Sequence, residues 1–64
     1  MPHIQITLLQ GRTPEQKRKI VERITQVMVE EAGTKKEGVT VSFLEVSPAD
    51  YASAGVLVLD RNKP

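Results

Sequence analysis

The spacing of apolar residues changes twice along this chain, and no other feature constrains the fold as much. Over residues 3–9, apolar and polar side chains alternate with a period of two, which predicts a β-strand. Between residues 14 and 32 the apolar side chains fall instead on one stripe of a 3.6-residue period, which predicts a helix of about five turns. Alternation returns over Val39 to Val46. The sequence therefore predicts a strand, a helix and a second strand.

Local signals mark both ends of the predicted helix. Thr13, Pro14 and Gln16 have the form of an N-cap, a proline at the first helical position and the partner of a capping box. Gly33 suits the left-handed position that follows many helices. The stripe expected to face the sheet consists of Ile20, Val21, Ile24, Val27, Met28 and Ala32.

These three elements form one βαβ unit, whose strands should run parallel with a right-handed crossover. A single helix covers one face of the sheet, so the other face and both edges would expose apolar surface in one copy. Residues 47–55 are expected to form a loop. Val56 to Leu59 should be a short strand, alone or in a hairpin, that could pair with a neighbouring subunit, and residues 61–64 a frayed tail. Residues 1–64 are thus predicted to be a single α+β domain that assembles through its sheet.

The small size of the chain leads to the same expectation. A chain of 64 residues buries only about 60% of the surface that it exposes when unfolded. Such chains are usually stabilised by disulfides, a metal or oligomerisation. With no cysteine and one histidine, oligomerisation is the route left to this sequence.

The near-zero net charge argues against nucleic acids and membrane surfaces as partners. The net charge is +1, so no strong field would hold a nucleic acid or a membrane surface, and neither is predicted as a partner. The basic run at residues 17–19 is expected to be a solvated helix face, with pairs such as Glu15–Lys19 and Arg18–Glu22. No apolar run approaches the ~20 residues of a membrane span and no secretory signal is evident, which predicts a cytoplasmic protein.

Pro2 is the residue whose chemistry most clearly suggests a function. Removal of Met1 would turn it into a secondary amine at the start of a strand. An α-amino group titrates near about 7.7–8.0, and desolvation or a nearby cation would lower the pKa of this amine toward neutrality. A neutral amine can act as a general base. The alternative is that Met-Pro is only a permitted start.

Several segments together resemble the 4-oxalocrotonate tautomerase family. They are Pro2, the alternating first strand, Leu9-Gln10-Gly11-Arg12-Thr13, Glu15-Gln16-Lys17, Phe43-Leu44-Glu45 and Tyr51. The resemblance covers nearly the whole chain. It implies the tautomerase fold in a trimer-of-dimers hexamer, homomeric or mixed, that isomerises 2-hydroxy-dienoates or arylpyruvate enols without a metal or cofactor.

The resemblance also implies roles for individual residues. Pro2 would be the catalytic base, and Arg12 would bind a substrate carboxylate, which a planar guanidinium can meet with two hydrogen bonds. Tyr51 would wall the pocket and keep the amine poorly solvated, or contact the substrate oxygen. The alternatives are a solvated arginine and an aromatic residue packed at a subunit interface.

One position departs from the family pattern, because Thr40 stands where its best-known members carry a second arginine. Thr40 could donate one neutral hydrogen bond to substrate, which is weaker than a charge-assisted one. We therefore expect shorter or monocarboxylate enols as substrates, with Arg61 of a neighbouring chain as a candidate replacement cation. The alternative is a catalytically weak structural or partner subunit of a hetero-oligomer. His3 and Glu45 are expected to be polar strand residues without a catalytic role.

Overall fold

The predicted strands and helix form where the sequence pattern places them. We describe residues 2–61 of a computed structural model, in which the main elements are β1 (His3–Leu9), α1 (Pro14–Ala32) and β2 (Thr40–Val46). β1 and β2 are parallel and paired in register along their whole length. β2 begins one residue later than predicted, because a short turn at Lys36–Gly38 ends just before Val39. The βαβ unit is confirmed.

The ends of α1 are fixed by the signals that the sequence carries. The backbone N–H of Gln16 donates to Thr13 Oγ1 at 3.1 Å, and the side chain of Gln16 accepts from the backbone N–H of Thr13 at 2.9 Å. Gly33 adopts a left-handed φ of 69° just after the helix. Loss of an N-cap side chain typically costs about 0.5–2 kcal/mol, which is enough to decide where a helix begins.

The helix packs on one face of the two-stranded sheet and is nowhere fully buried. Its half-buried side chains are Lys17, Ile20, Val21, Ile24, Thr25 and Met28. Val27 is 53% exposed and Ala32 is also exposed, so their predicted place in the buried stripe is wrong. The two strands lie only about 5 Å apart, whereas a helix is about 10 Å wide. The sheet is therefore narrower than the helix and leaves the edges of the helix's apolar stripe uncovered.

The ion pair that joins the helix to the sheet is not one of the pairs expected along the helix. Lys17 pairs with Glu45 of β2, and its ammonium lies 5.6 Å from the centre of the Phe43 ring. Among residues 2–61, neither Glu15–Lys19 nor Arg18–Glu22 is formed. An i, i+4 pair between solvated side chains contributes only about 0.3–0.5 kcal/mol, which does little to hold two long side chains in one geometry.

After β2 the chain forms a small hairpin. A turn at Pro48–Asp50 leads into β3 (Ala52–Ser53), which pairs antiparallel with β4 (Val56–Leu57). The two turn residues, Ala54 and Gly55, both have positive φ, at 54° and 79°, as a type I′ hairpin turn requires. The strand predicted at residues 56–59 thus pairs within its own chain, and part of the expected loop is a strand.

A single copy of this chain has no hydrophobic core. None of residues 2–61 is buried, and the radius of gyration is 15.3 Å, against about 11 Å for a compact domain of this length. Large apolar side chains remain exposed on the open sheet face, in the hairpin and in the turn after it, among them Leu44 at 50%, Val56 at 44% and Leu59 at 53%. Within residues 2–61, no helix is long and apolar enough to cross a membrane.

Candidate active site

Pro2 lies at the tip of β1 and is held there by strand pairing. Its carbonyl accepts a hydrogen bond from the backbone N–H of Thr40 at 3.1 Å. The residue is half-buried and lines a groove of about 430 Å³ together with Thr34, Lys35, Glu37 and Gly38. A terminus tied to a neighbouring strand is less mobile than an ordinary chain end. The predicted loss of Met1 concerns a residue outside the described range, as does the predicted tail beyond residue 61.

The Thr40 hydroxyl has two partners inside the protein. Its Oγ1 lies 2.7 Å from Nδ1 of His3 and 3.5 Å from the carbonyl oxygen of Pro2. The other ring nitrogen of His3, Nε2, lies 3.0 Å from Oγ of Ser42. A neutral imidazole donates from one nitrogen and accepts at the other. In either tautomer the Thr40 proton therefore has an acceptor in the protein, and a substrate oxygen would have to compete with it.

Arg12 follows β1 at the opposite end of that strand. It is exposed, and its guanidinium makes no hydrogen bond or ion pair to any other of residues 2–61. It lines a groove of about 310 Å³ along the first turns of α1, with Gln16, Lys19, Ile20 and Arg23. Three cations and no carboxylate line this groove, so it favours an anionic ligand.

Tyr51 lies between the Pro48–Asp50 turn and β3. Its carbonyl accepts from the backbone N–H of Val58 at 2.9 Å, which fixes the backbone at the base of the hairpin. The residue is 47% exposed, and within the described part of the chain its hydroxyl has no hydrogen-bond partner. An exposed aromatic ring with a free hydroxyl is available to cover a neighbouring surface.

The four predicted site residues fall into two pairs at opposite ends of the sheet. Because β1 and β2 are parallel and in register, Pro2 and Thr40 lie together at the amino end. Arg12 and Tyr51 come after the carboxyl ends of the two strands. Seven strand residues span roughly 20 Å or more. One copy of the chain therefore does not bring the amine and the guanidinium together.

Lys35 lines the Pro2 groove and was not predicted from the sequence as a site residue. The signal was available in the fold, since residues just before β2 must lie beside the start of β1 when the strands are parallel. Arg61, considered as a replacement cation, donates from Nη2 to the carbonyl of Ser53 at 3.2 Å. Glu45 is held in its ion pair with Lys17.

A groove along α1 lies apart from the predicted site residues. The largest groove, of about 570 Å³, runs along the outer flank of α1 from Val21 to Glu30 and reaches Lys36. It contains none of the four predicted site residues. Among residues 2–61, no three histidine, aspartate or glutamate side chains come close enough together to hold a metal ion.

The comparisons with known proteins identify the class of protein to which this fold and these residues belong. The family described as tautomerase enzyme matches residues 2–61, and the chain belongs to that family. The 2-hydroxymuconate tautomerase of Bacillus subtilis (strain 168) is 38% identical over 60 residues, which cover 94% of this chain and 97% of the relative. That of Comamonas testosteroni is 38% identical over 56 residues, which cover 88% and 89%.

Solved structures agree with the sequence relatives. A structure from a study of the 4-oxalocrotonate tautomerase isozymes of Methylibium petroleiphilum superimposes with a TM-score of 0.91, at 35% identity over 94% of each chain. The resemblance stated from the sequence is confirmed, and the chain is an isomerase of the 4-oxalocrotonate tautomerase type.

Proposed function

We propose that this chain is a cofactor-independent keto–enol tautomerase that acts on small enol carboxylates of the 2-hydroxy-dienoate or arylpyruvate type. The general base is the amine of Pro2, freed by removal of Met1. The observation that carries the proposal is the half-buried position of Pro2 in a groove at the tip of β1. The two relatives described above are named 2-hydroxymuconate tautomerases, which supports the same substrate class.

The proposed reaction needs one proton carrier and no redox partner. The neutral Pro2 nitrogen takes the proton from the enol hydroxyl as the C–O bond becomes a carbonyl. The electron pair of the enol double bond then takes a proton from the Pro2 ammonium at carbon. The amine returns to its neutral form, and the substrate has gained and lost one proton. A base whose pKa lies near the working pH performs both transfers well.

The substrate-binding residues in this proposal come from a second copy of the chain. Arg12 and Tyr51 lie about a strand length away from Pro2 in one copy, so a neighbour running the opposite way would bring its Arg12 end to the first copy's Pro2. There the guanidinium binds a substrate carboxylate and the Tyr51 ring shelters the amine from water. Because none of residues 2–61 is buried in one copy, assembly through the sheet is supported. We propose a homohexamer, and a cytoplasmic location stays a prediction.

The alternative, a catalytically weak structural or partner subunit of a hetero-oligomer, was suggested by Thr40 in place of the family's arginine. The relatives named as tautomerases do not favour it. The two functions differ in the role of Pro2. In the tautomerase, turnover depends on the Pro2 amine, whereas in a partner subunit the Pro2 amine has no catalytic role.

The test combines intact mass with turnover of phenylpyruvate and 2-hydroxymuconate. Protein that has lost Met1 should turn over at least one of these enols. Pro2→Ala replaces the ring amine with a primary amine that is held less rigidly, so it should lower kcat/KM by up to the roughly 10²–10⁴-fold that a general base contributes. Protein that retains Met1 should be inactive, because its Pro2 nitrogen is an amide. Pro48→Ala, at an exposed turn, is the matched proline control and should leave activity unchanged. Processed protein that is silent on both substrates, or unaffected by Pro2→Ala, would favour the partner subunit.

A further inference from the structure

The side chain of Lys35, a flexible cation, starts at the groove that contains the proposed base. Lys35 and Pro2 line that groove together, and Lys35 is exposed at the junction between α1 and β2. Within residues 2–61 its ammonium makes no hydrogen bond and no ion pair. A lysine without a protein partner, beside a reactive amine, is available to a ligand.

The proposed reaction needs a cation at this end of the site. When the base removes the enol proton, negative charge develops on the substrate oxygen, and a fixed positive group there lowers the barrier. Thr40 offers only a neutral hydroxyl, which already has acceptors in His3 and Pro2. Arg12 of the same copy lies beyond the far end of β1. Among the described residues that line the Pro2 groove, Lys35 is the one with a positive side chain.

Glu37 is the second charged residue that lines the Pro2 groove. It forms no ion pair with Lys35. With both side chains present the groove lining is neutral, and without Lys35 it would be negative. A carboxylate substrate would then meet like charge beside the base, which is unfavourable. Lys35 therefore both attracts the substrate and offsets Glu37.

We propose that Lys35 binds the substrate carboxylate together with Arg12 of the neighbouring copy, and also binds the oxygen next to that carboxylate at the Pro2 groove, the task for which Thr40 is poorly suited. The inference rests on the proposed function and assigns a specificity residue for it. Lys36 provides a matched control, because it is the next residue and carries the same charge, yet it lines the separate groove on the flank of α1.

The experiment compares Lys35→Ala, Lys35→Gln, Lys35→Arg and Lys36→Ala in full-length protein that has lost Met1. Each variant is first matched to wild type in thermal unfolding and sedimentation. For phenylpyruvate, kcat/KM should fall roughly 10- to 100-fold in Lys35→Ala and Lys35→Gln, through KM because a charge-assisted contact to the carboxylate is lost, and through kcat because the developing charge on the oxygen is less stabilised. Lys35→Arg should restore most of it, and Lys36→Ala should change it by less than about two-fold.

The methyl ester of phenylpyruvate separates carboxylate binding from other effects of the lysine. It lacks the charge, so Lys35→Ala should affect it far less than it affects the acid. Equal losses for acid and ester, equal losses in Lys35→Ala and Lys36→Ala, or no loss at all would overturn the inference. If these occur while activity still depends on Pro2, only the role of Lys35 fails.

A binding measurement keeps the inference testable without turnover. In the Pro2→Ala background, Lys35→Ala should weaken phenylpyruvate binding roughly 10- to 100-fold, whereas Lys36→Ala should not. Unchanged affinity would overturn the role of Lys35 even if the protein proved to be inactive. Activity that survives Pro2→Ala would instead overturn the proposed function.

Discussion

The two ends of the β1–β2 pair differ in shelter and in charge. At the amino end, Pro2 is half-buried in a groove whose charged lining residues, Lys35 and Glu37, have opposite signs. At the carboxyl end, Arg12 is exposed in a groove lined by cations and no carboxylate. The first end suits an uncharged amine and the second suits an anion. Neither end holds all four predicted site residues, so the proposed reaction would draw on two ends from different copies.

The same requirement appears in the packing of the chain. A helix on one side of two strands leaves the opposite sheet face open, and Leu44 on that face is 50% exposed. Apolar surface of this kind is covered by assembly in stable small proteins. One association of copies would therefore supply both the missing core and the second half of the site.

The largest effect expected at the carboxyl end is that of Arg12→Ala. Loss of a charge-assisted contact to a carboxylate should raise KM roughly 10- to 100-fold, with little change in thermal stability, because within residues 2–61 Arg12 is exposed and makes no hydrogen bond or ion pair. Steady-state kinetics with phenylpyruvate and 2-hydroxymuconate measure it. Arg18→Ala is the control, because Arg18 is a cation of α1 that does not line the Arg12 groove. Unchanged kcat/KM would remove Arg12 from the site.

A smaller effect is expected in the pH dependence of kcat/KM, which should depend on the Pro2 amine and not on Arg12. The Pro2 amine must be neutral to act, so kcat/KM should fall as the pH drops through its pKa, which desolvation should hold below about 7.7–8.0. A guanidinium does not titrate in this range. Arg12→Ala should therefore lower the whole pH–rate profile without moving its midpoint. A midpoint well above pH 8 would contradict desolvation of the amine.

Much of the fold could be predicted because its signals are local. The capping box of Thr13 and Gln16 and the left-handed Gly33 fixed the ends of α1, and alternation fixed β1. A short C-terminal strand or hairpin was predicted, but the turn of the hairpin at residues 52–57 was not placed, because this type I′ turn is Ala54-Gly55, whereas Asn or Asp before Gly is the usual signal. Val27 was assigned to the buried stripe because periodicity does not reveal how narrow the sheet is.

The candidate site could be predicted by residue type more readily than by arrangement. Pro2 and Arg12 were singled out from their chemistry and from the family resemblance. The contacts of Thr40 with His3, and the shared groove of Pro2 and Lys35, join residues more than 30 positions apart. Such contacts depend on the register of β1 and β2. Spacing along the sequence predicts only neighbours within one helix or strand.

The central claim, that each site joins Pro2 of one copy to Arg12 of another, is tested most directly by mixing two impaired variants. Pro2→Ala and Arg12→Ala protein are unfolded together in equal amounts and refolded into mixed assemblies. If each site draws the two residues from different chains, about one site in four receives both, and roughly a quarter of wild-type activity should return. If each site were built within one chain, no site would hold both residues. Activity that stays at the level of the separate variants would contradict the account.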